Sequence, residues 1–212
     1  MSEFYRINTA SLDDSQYAFC DTAAGAQYGS KDSAPKCPQC GAPIGSRYWL
    51  EPRRVVLSKP KYGDFVYGLW FLVSENFKTA YEKSALKGIE EFLPVEVAKI
   101  RYVRPFSPKP PQYYKINLEY SFARIDLEKT RFSGQPEERY CSLCKPFGML
   151  MDVVNGVYID DAKWGGEDIF HLHETGGAAY ASQRFVDFCL AHGFTNLQVV
   201  NTKEFVRPIA YT

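Results

Sequence analysis

The sequence predicts an α+β fold: a mixed or antiparallel sheet carrying two capped helices, joined by a four-cysteine zinc knuckle module. Three observations predict it. From Tyr48 onward, runs rich in aromatic and β-branched residues recur, which is the composition of buried strands. Two stretches carry helical periodicity between a serine and a glycine, too few and too irregularly placed for a doubly wound parallel sheet. Two Cys-x-x-Cys pairs, Cys37 with Cys40 and Cys141 with Cys144, stand far apart in the chain.

Taken in order, residues 8 to 36 are small, polar and glycine-bearing, and read as loop. RRVVLSK and FVYGLWFLVS then read as buried strands. Ser74 stands as an N-cap before ENFKTAYEKSALK, where Phe77, Tyr81 and Leu86 share a helical face and Gly88 offers a left-handed stop. IEEFLPVEVAKIRYV is extended, with Pro94 arguing for a strand edge. The four prolines of RPFSPKPPQYY, residues 104–114, make a stiff connector and the best internal boundary in a single α+β domain spanning 1–212.

KINLEYSFARIDL resumes strand-like alternation, and DVVNGVYID places Asn155-Gly156 between apolar runs, a hairpin signal. GEDIFHLHE is a further strand, and Gly176-Gly177 a turn. Ser182 opens QRFVDFCLAH, with Phe185, Phe188 and Cys189 on one side and Gly193 closing it, before TNLQVVN returns as a strand. The two helical stretches echo each other as strand, Ser-x-x-Phe, helix, Gly and strand. Either an old duplication or two ordinary capped helices would produce that echo.

Lysines plus arginines equal aspartates plus glutamates at 25 each, so no strong overall field draws the chain to nucleic acid or anionic lipid. The N-terminus shows no export-type leader and no run of apolar residues is long enough for a membrane span, which points to a cytoplasmic protein. In that reducing setting cysteines act as metal ligands or free thiols.

Zinc prefers four tetrahedral ligands, and each Cys-x-x-Cys turn supplies two sulfurs at a suitable spacing. Cys37, Cys40, Cys141 and Cys144 are therefore the expected ligands of one Zn2+, in a module formed by 36–49 and 139–148. Gly41 suits the positive φ that follows a knuckle, and Lys145 does not. Four thiolates leave no open coordination position, so the ion is expected to be structural. Thioredoxin-like redox work fits less well, because loop rather than strand precedes the first pair.

Other candidates carry less chemistry. His171 and His173 alternate on a strand beside Glu174, without an evident third ligand. Their spacing does not match a zinc deaminase. Cys20 and Cys189 lack partners, and no P-loop, Gly-x-Ser-x-Gly or dinucleotide fingerprint is present. The acidic residues Asp160, Asp161, Glu167 and Asp168 form a candidate partner-binding face. Lys31, Lys36, Arg47 and Tyr48 beside the first knuckle motivate an alternative, a zinc-ribbon nucleic-acid-binding protein.

The chain resembles the double-CXXCG motif family of bacterial paralogues, some of which are immunity proteins against a toxin delivered by related cells. The resemblance rests on FYRI, CPQCG, GDF at residues 63 to 65, LVSENF, KGIEEFLPVEV, the second Cys-x-x-Cys, WGGEDIFHL and ASQRFVDFCLAHGFTNL. CSLCK departs from the family's second Cys-x-x-Cys-Gly. The resemblance implies a non-enzymatic cytoplasmic protein that binds and blocks a cognate toxin. Should that toxin be a nuclease, acidic side chains at Asp160, Asp161, Glu167 and Asp168 would mimic phosphate.

Overall fold

The computed structural model describes residues 2–205 apart from 9–15, 67, 69–70, 104, 106, 127, 133–140, 145–152 and 176. In chain order the strands are β1 (Phe4–Asn8), β2 (Cys20–Thr22), β3 (Arg54–Leu57), β4 (Phe65–Val66), β5 (Leu72–Ser74), β6 (Ile89–Ile100), β7 (Tyr113–Leu118), β8 (Tyr120–Ser121) and β9 (Arg124–Ile125). They continue as β10 (Arg131–Phe132), β11 (Val153–Asn155), β12 (Ile159–Asp160), β13 (Ile169–Leu172), β14 (Ala179–Ser182) and β15 (Gln198–Asn201). Helix α1 (Glu75–Glu82) follows β5, and α2 (Gln183–Ala191) follows β14. The α+β expectation holds.

A six-stranded sheet runs β2-β3-β6-β7-β5-β4, and a five-stranded sheet runs β15-β1-β14-β13-β8. Most pairings are antiparallel, with β3/β6 and β13/β8 parallel. A bridge between Cys20 and Gly68 brings the outer strands of the larger sheet together. The curled sheet encloses Trp49, Val55, Leu57, Leu72, Val95 and Tyr113. At that seam a Cβ on Gly68 would overlap the Cys20 carbonyl oxygen. Gly68→Ala is expected to destabilise the fold by about 1–3 kcal/mol, as overpacking does, and a denaturant melt would show it as a lower midpoint.

The sequence reading of 8 to 36 as loop missed β2. Its three residues are too short for periodicity to register, and β3 recruits them through the Cys20–Leu57 register. In β6, Glu96 donates its N–H to Arg53 on the β3 side. Alternate residues of a strand face the same edge, so the nitrogen of Pro94 faces the stretch before β3 begins. That is the edge position expected of a proline. Residues 101–112 link β6 to its antiparallel neighbour β7, while Arg104 and Phe106 of the expected connector lie outside the described residues.

The expected Asn155-Gly156 hairpin does not form. Gly156 turns at φ +71°, but β11 pairs with β10 and β12 pairs with β9. The C-terminal segment takes the turn's donors instead, with Gly156 N–H on the Phe205 carbonyl and Val157 N–H on that of Thr202. Asp152, at the start of that expected hairpin, and Gly176 of the expected Gly-Gly turn lie outside the described residues.

Both helices begin as the serines predict. The Ser74 hydroxyl accepts from Phe77 N–H at 3.2 Å, and the Ser182 hydroxyl from Phe185 N–H at 3.3 Å. Gly193 closes α2 at φ +63°. Helix α1, however, ends at the Lys83 cap, with Ser84 donating to the Tyr81 carbonyl, and not at Gly88. Gly88 instead sits so close to the Ile169 carbonyl that no side chain fits.

The resemblance between the two helical stretches extends to their bonding. Ser74 donates its hydroxyl to Asp64 at 2.7 Å, and Ser182 donates to Asp168 at 3.0 Å. The other carboxylate oxygen of Asp64 accepts from Thr195 N–H, just past α2, at 3.0 Å. That of Asp168 accepts from Lys87 N–H, past α1, at 2.9 Å. Each aspartate thus ties its own helix start to the segment leaving the other helix. Phe77 and Phe185, equivalent in the two units, meet at 6.1 Å between ring centroids in the core shared by both sheets. No helix among the described residues is long and apolar enough to cross a membrane.

Candidate metal centre

The two Cys-x-x-Cys turns converge although 104 residues separate Cys37 from Cys141. All four sulfurs lie within 4.8 Å of one another. Cys37 faces Cys141 at 3.8 Å, and Cys40 faces Cys144 at 3.5 Å. Ligands about 2.3 Å from a tetrahedral ion stand about 3.8 Å apart, so the four sulfurs are close enough together to hold one metal ion. Three of the cysteines are buried, and Cys40 is exposed.

Local backbone bonding shapes the first turn. Cys37 N–H donates to the Ala42 carbonyl and Gly41 N–H to the Cys37 carbonyl, with Gly41 at φ +73° as expected. In the second turn Leu143 N–H points at the Cys141 sulfur at 3.4 Å. Lys145 and the rest of 139–140 and 145–148 lie outside the described residues. Backbone N–H donation, chiefly from Cys144, holds the Cys141 thiol low, at about 6. Burial, and then hydrogen bonding with Cys40, push the Cys144 thiol up.

Side-chain bonds tie the two turns to each other and, through Tyr120 and Arg124, to the sheets. The Gln39 amide bonds the Ser142 hydroxyl at 2.7 Å, linking turn to turn. Tyr120 donates to the Ile44 carbonyl at 3.2 Å, and its ring packs against the thiol cluster. Arg124 donates to the Ser142 carbonyl at 2.6 Å and pairs with the buried Glu174 at 2.5 Å. Burial raises the Glu174 carboxyl, and Arg124 opposes that rise. Sequence reasoning missed Tyr120 and Arg124, whose roles appear only once β8 and β9 are brought against the knuckles.

His171 and His173 turn Nδ1 to the carbonyls of Ala178 and Ser121, each at 2.9 Å. Both rings contact Tyr120. Burial lowers His171 to about 4, only partly offset by the Ala178 carbonyl. Cys20 and Cys189 are buried apart from the cage. Lys36 pairs with Asp32 at 3.3 Å, and Tyr48 is exposed.

The acidic set does not share one surface. Asp168 is 2% exposed and is occupied by Ser182, Lys87 and Arg184, so it is corrected from a partner-facing acid to a core tether. Glu167 accepts from the Ser121 hydroxyl at 3.1 Å. Asp161 accepts from Ser2 N–H at 2.7 Å. Asp160 and Asp161 line a cleft of about 320 Å³ that also contains Asp126, Lys129 and Lys203.

Against models of known families, the chain matches the one described as the immunity protein family Imm11, over residues 31–204. That span holds both thiol pairs and both helices. No curated protein matches the chain.

Proposed function

The chain belongs to the Imm11 immunity protein family, and on that premise we propose that it is a non-enzymatic immunity protein that binds and neutralises a cognate toxin in the cytoplasm. The observation that carries this reading is the family match across most of the chain. The finer resemblance to the double-CXXCG family, with its two thiol pairs, is part of the same proposal. A Zn2+ ion held by Cys37, Cys40, Cys141 and Cys144 is structural in this reading. A four-sulfur set gives it no open position for substrate, and its neighbours Tyr120, Gln39 and Arg124 serve attachment. Asp160, Asp161 and Glu167 remain outlying contributors to partner contact.

Expression of the toxin encoded beside this chain's gene, in cells with and without the chain, tests the function. Growth is expected to be restored by the chain, and the purified pair to co-elute as one complex. Toxicity undiminished by a well-expressed, folded chain would overturn the reading.

A further inference from the structure

The chain is neutral overall, but its charge is unevenly spread along the sequence. Residues 97–112, VAKIRYVRPFSPKPPQ, hold Lys99, Arg101, Arg104 and Lys109 without one acid, and residues 55–63 hold Lys59 and Lys61 without one. The fold sets these stretches side by side. Parallel pairing aligns Val56 with Lys99 and Leu57 with Ile100 where β3 and β6 end. Just past that end Arg101 donates its N–H to the Leu57 carbonyl at 2.8 Å, and Tyr62 donates its hydroxyl to the Pro108 carbonyl at 2.9 Å. One pole of the larger sheet is therefore basic.

Among the described residues two acids adjoin this pole, and both are taken. Asp21 pairs with Arg101 at 2.9 Å, and Asp64 accepts from Ser74, Asn76 and Thr195. Lys99 and Lys109 are exposed and form no ion pair with a described residue. Directly after Arg101 stands Tyr102, 84% exposed, with Val103 beside it at 55%. Tyr102 holds φ at +55°, a conformation in which a bulky side chain is strained. A ring so open to water gains little from burial in the isolated chain. Strain kept at such a position points to a side chain whose orientation serves a partner.

We propose that Tyr102 and Val103, set among Lys99, Arg101 and Lys109, are where the chain docks an acidic surface of its toxin. This rests on the immunity reading and names the partner-facing surface for it. The lysines steer the approach, and the tyrosine ring is the anchor. A nucleic-acid strand fits this pole less well. Pro105 and Pro108 are exposed and lack the N–H that binds phosphate, whereas a mixture of aromatic, apolar and arginine groups is that of a protein interface.

The test uses the full chain and an inactivated form of the toxin encoded beside its gene, read by calorimetry and by association kinetics. Tyr102→Gly is expected to weaken binding about 30-fold, the level of an interface hot spot. Its melting temperature should match or exceed the parent's, because glycine relieves the positive φ. Lys99→Gln with Lys109→Gln is expected to slow association about tenfold and to flatten its salt dependence. Tight binding by the parent that both variants retain overturns the site and leaves the function standing. No binding by the parent overturns both. A Tyr102→Gly chain that melts well below the parent makes the residue structural and overturns the proposal. So does binding of a single-stranded oligonucleotide or of phosphatidylserine vesicles that the paired lysine variant loses while keeping the toxin, which assigns the pole to another anion. Self-association of the parent that Tyr102→Gly abolishes assigns it to a second copy, with the same result.

Discussion

Purified from cells, the chain is expected to carry one zinc ion, and Cys141→Ser or Cys144→Ser to lose it along with about 2–5 kcal/mol of stability. The magnitude follows from what the clasp does. A structural zinc site binds with about 10–16 kcal/mol at neutral pH, but the folded sheets already supply most of the closure between knuckles that lie 104 residues apart. What remains resembles the removal of a native disulfide over a long loop, about 2–5 kcal/mol. In a chain of 212 residues each kcal/mol shifts the melting temperature by about 2–4 °C, so a loss of about 10 °C is expected.

Chelation should lower the melting temperature of the parent chain and leave that of Cys144→Ser unchanged, which separates the metal from side-chain packing. The ion replaces protons on the thiols, above all on Cys144, whose thiol burial raises. Zinc stabilisation should therefore fade as the pH falls. Metal-free material that melts like the zinc-loaded chain would end the clasp interpretation.

The thiol pairs were legible because their chemistry lies in spacing, which survives any fold. Helix starts were legible for a similar reason, since Ser74 and Ser182 each cap locally. What sequence could not show depends on distant partners. The Asn155-Gly156 turn carries a sound local signal, yet Thr202 and Phe205 claim its backbone donors and send its strands to different neighbours. Gly88 looks like a helix stop and is instead a point of contact with Ile169. Asp168 looks like surface charge within an acidic run, and only the approach of Lys87 and Ser182 reveals it as core. Tyr120 and Arg124 have no motif at all. They matter because the knuckles dock on β8 and β9.

Asp168→Ala is expected to cost about 2–5 kcal/mol, because two donors lose their acceptor at about 1–3 kcal/mol each. The replacement leaves the Ser182 hydroxyl and Lys87 N–H without their acceptor, and Arg184 without its partner at 3.4 Å. Because Ser182 caps α2 and Lys87 follows α1, both units loosen together. The equivalent Asp64→Ala should cost less, since Asp64 is only half-buried and water can replace part of its bonding. Burial alone would raise the Asp64 carboxyl, but donation from Ser74, Thr195 and Asn76 outweighs it and holds the group below the ordinary aspartate range. A depressed folded value means that its stabilisation is present above the unfolded value and lost as the pH falls through the folded one. Asp64→Asn should accordingly lower stability at neutral pH, approach the parent at low pH, and so flatten the acid limb of the stability curve. Denaturant melts would report both effects as shifts in midpoint at constant slope. If Asp168→Ala melts within about 1 kcal/mol of the parent, below the range for two donors left without their acceptor, the reciprocal tethers do not hold the two units together.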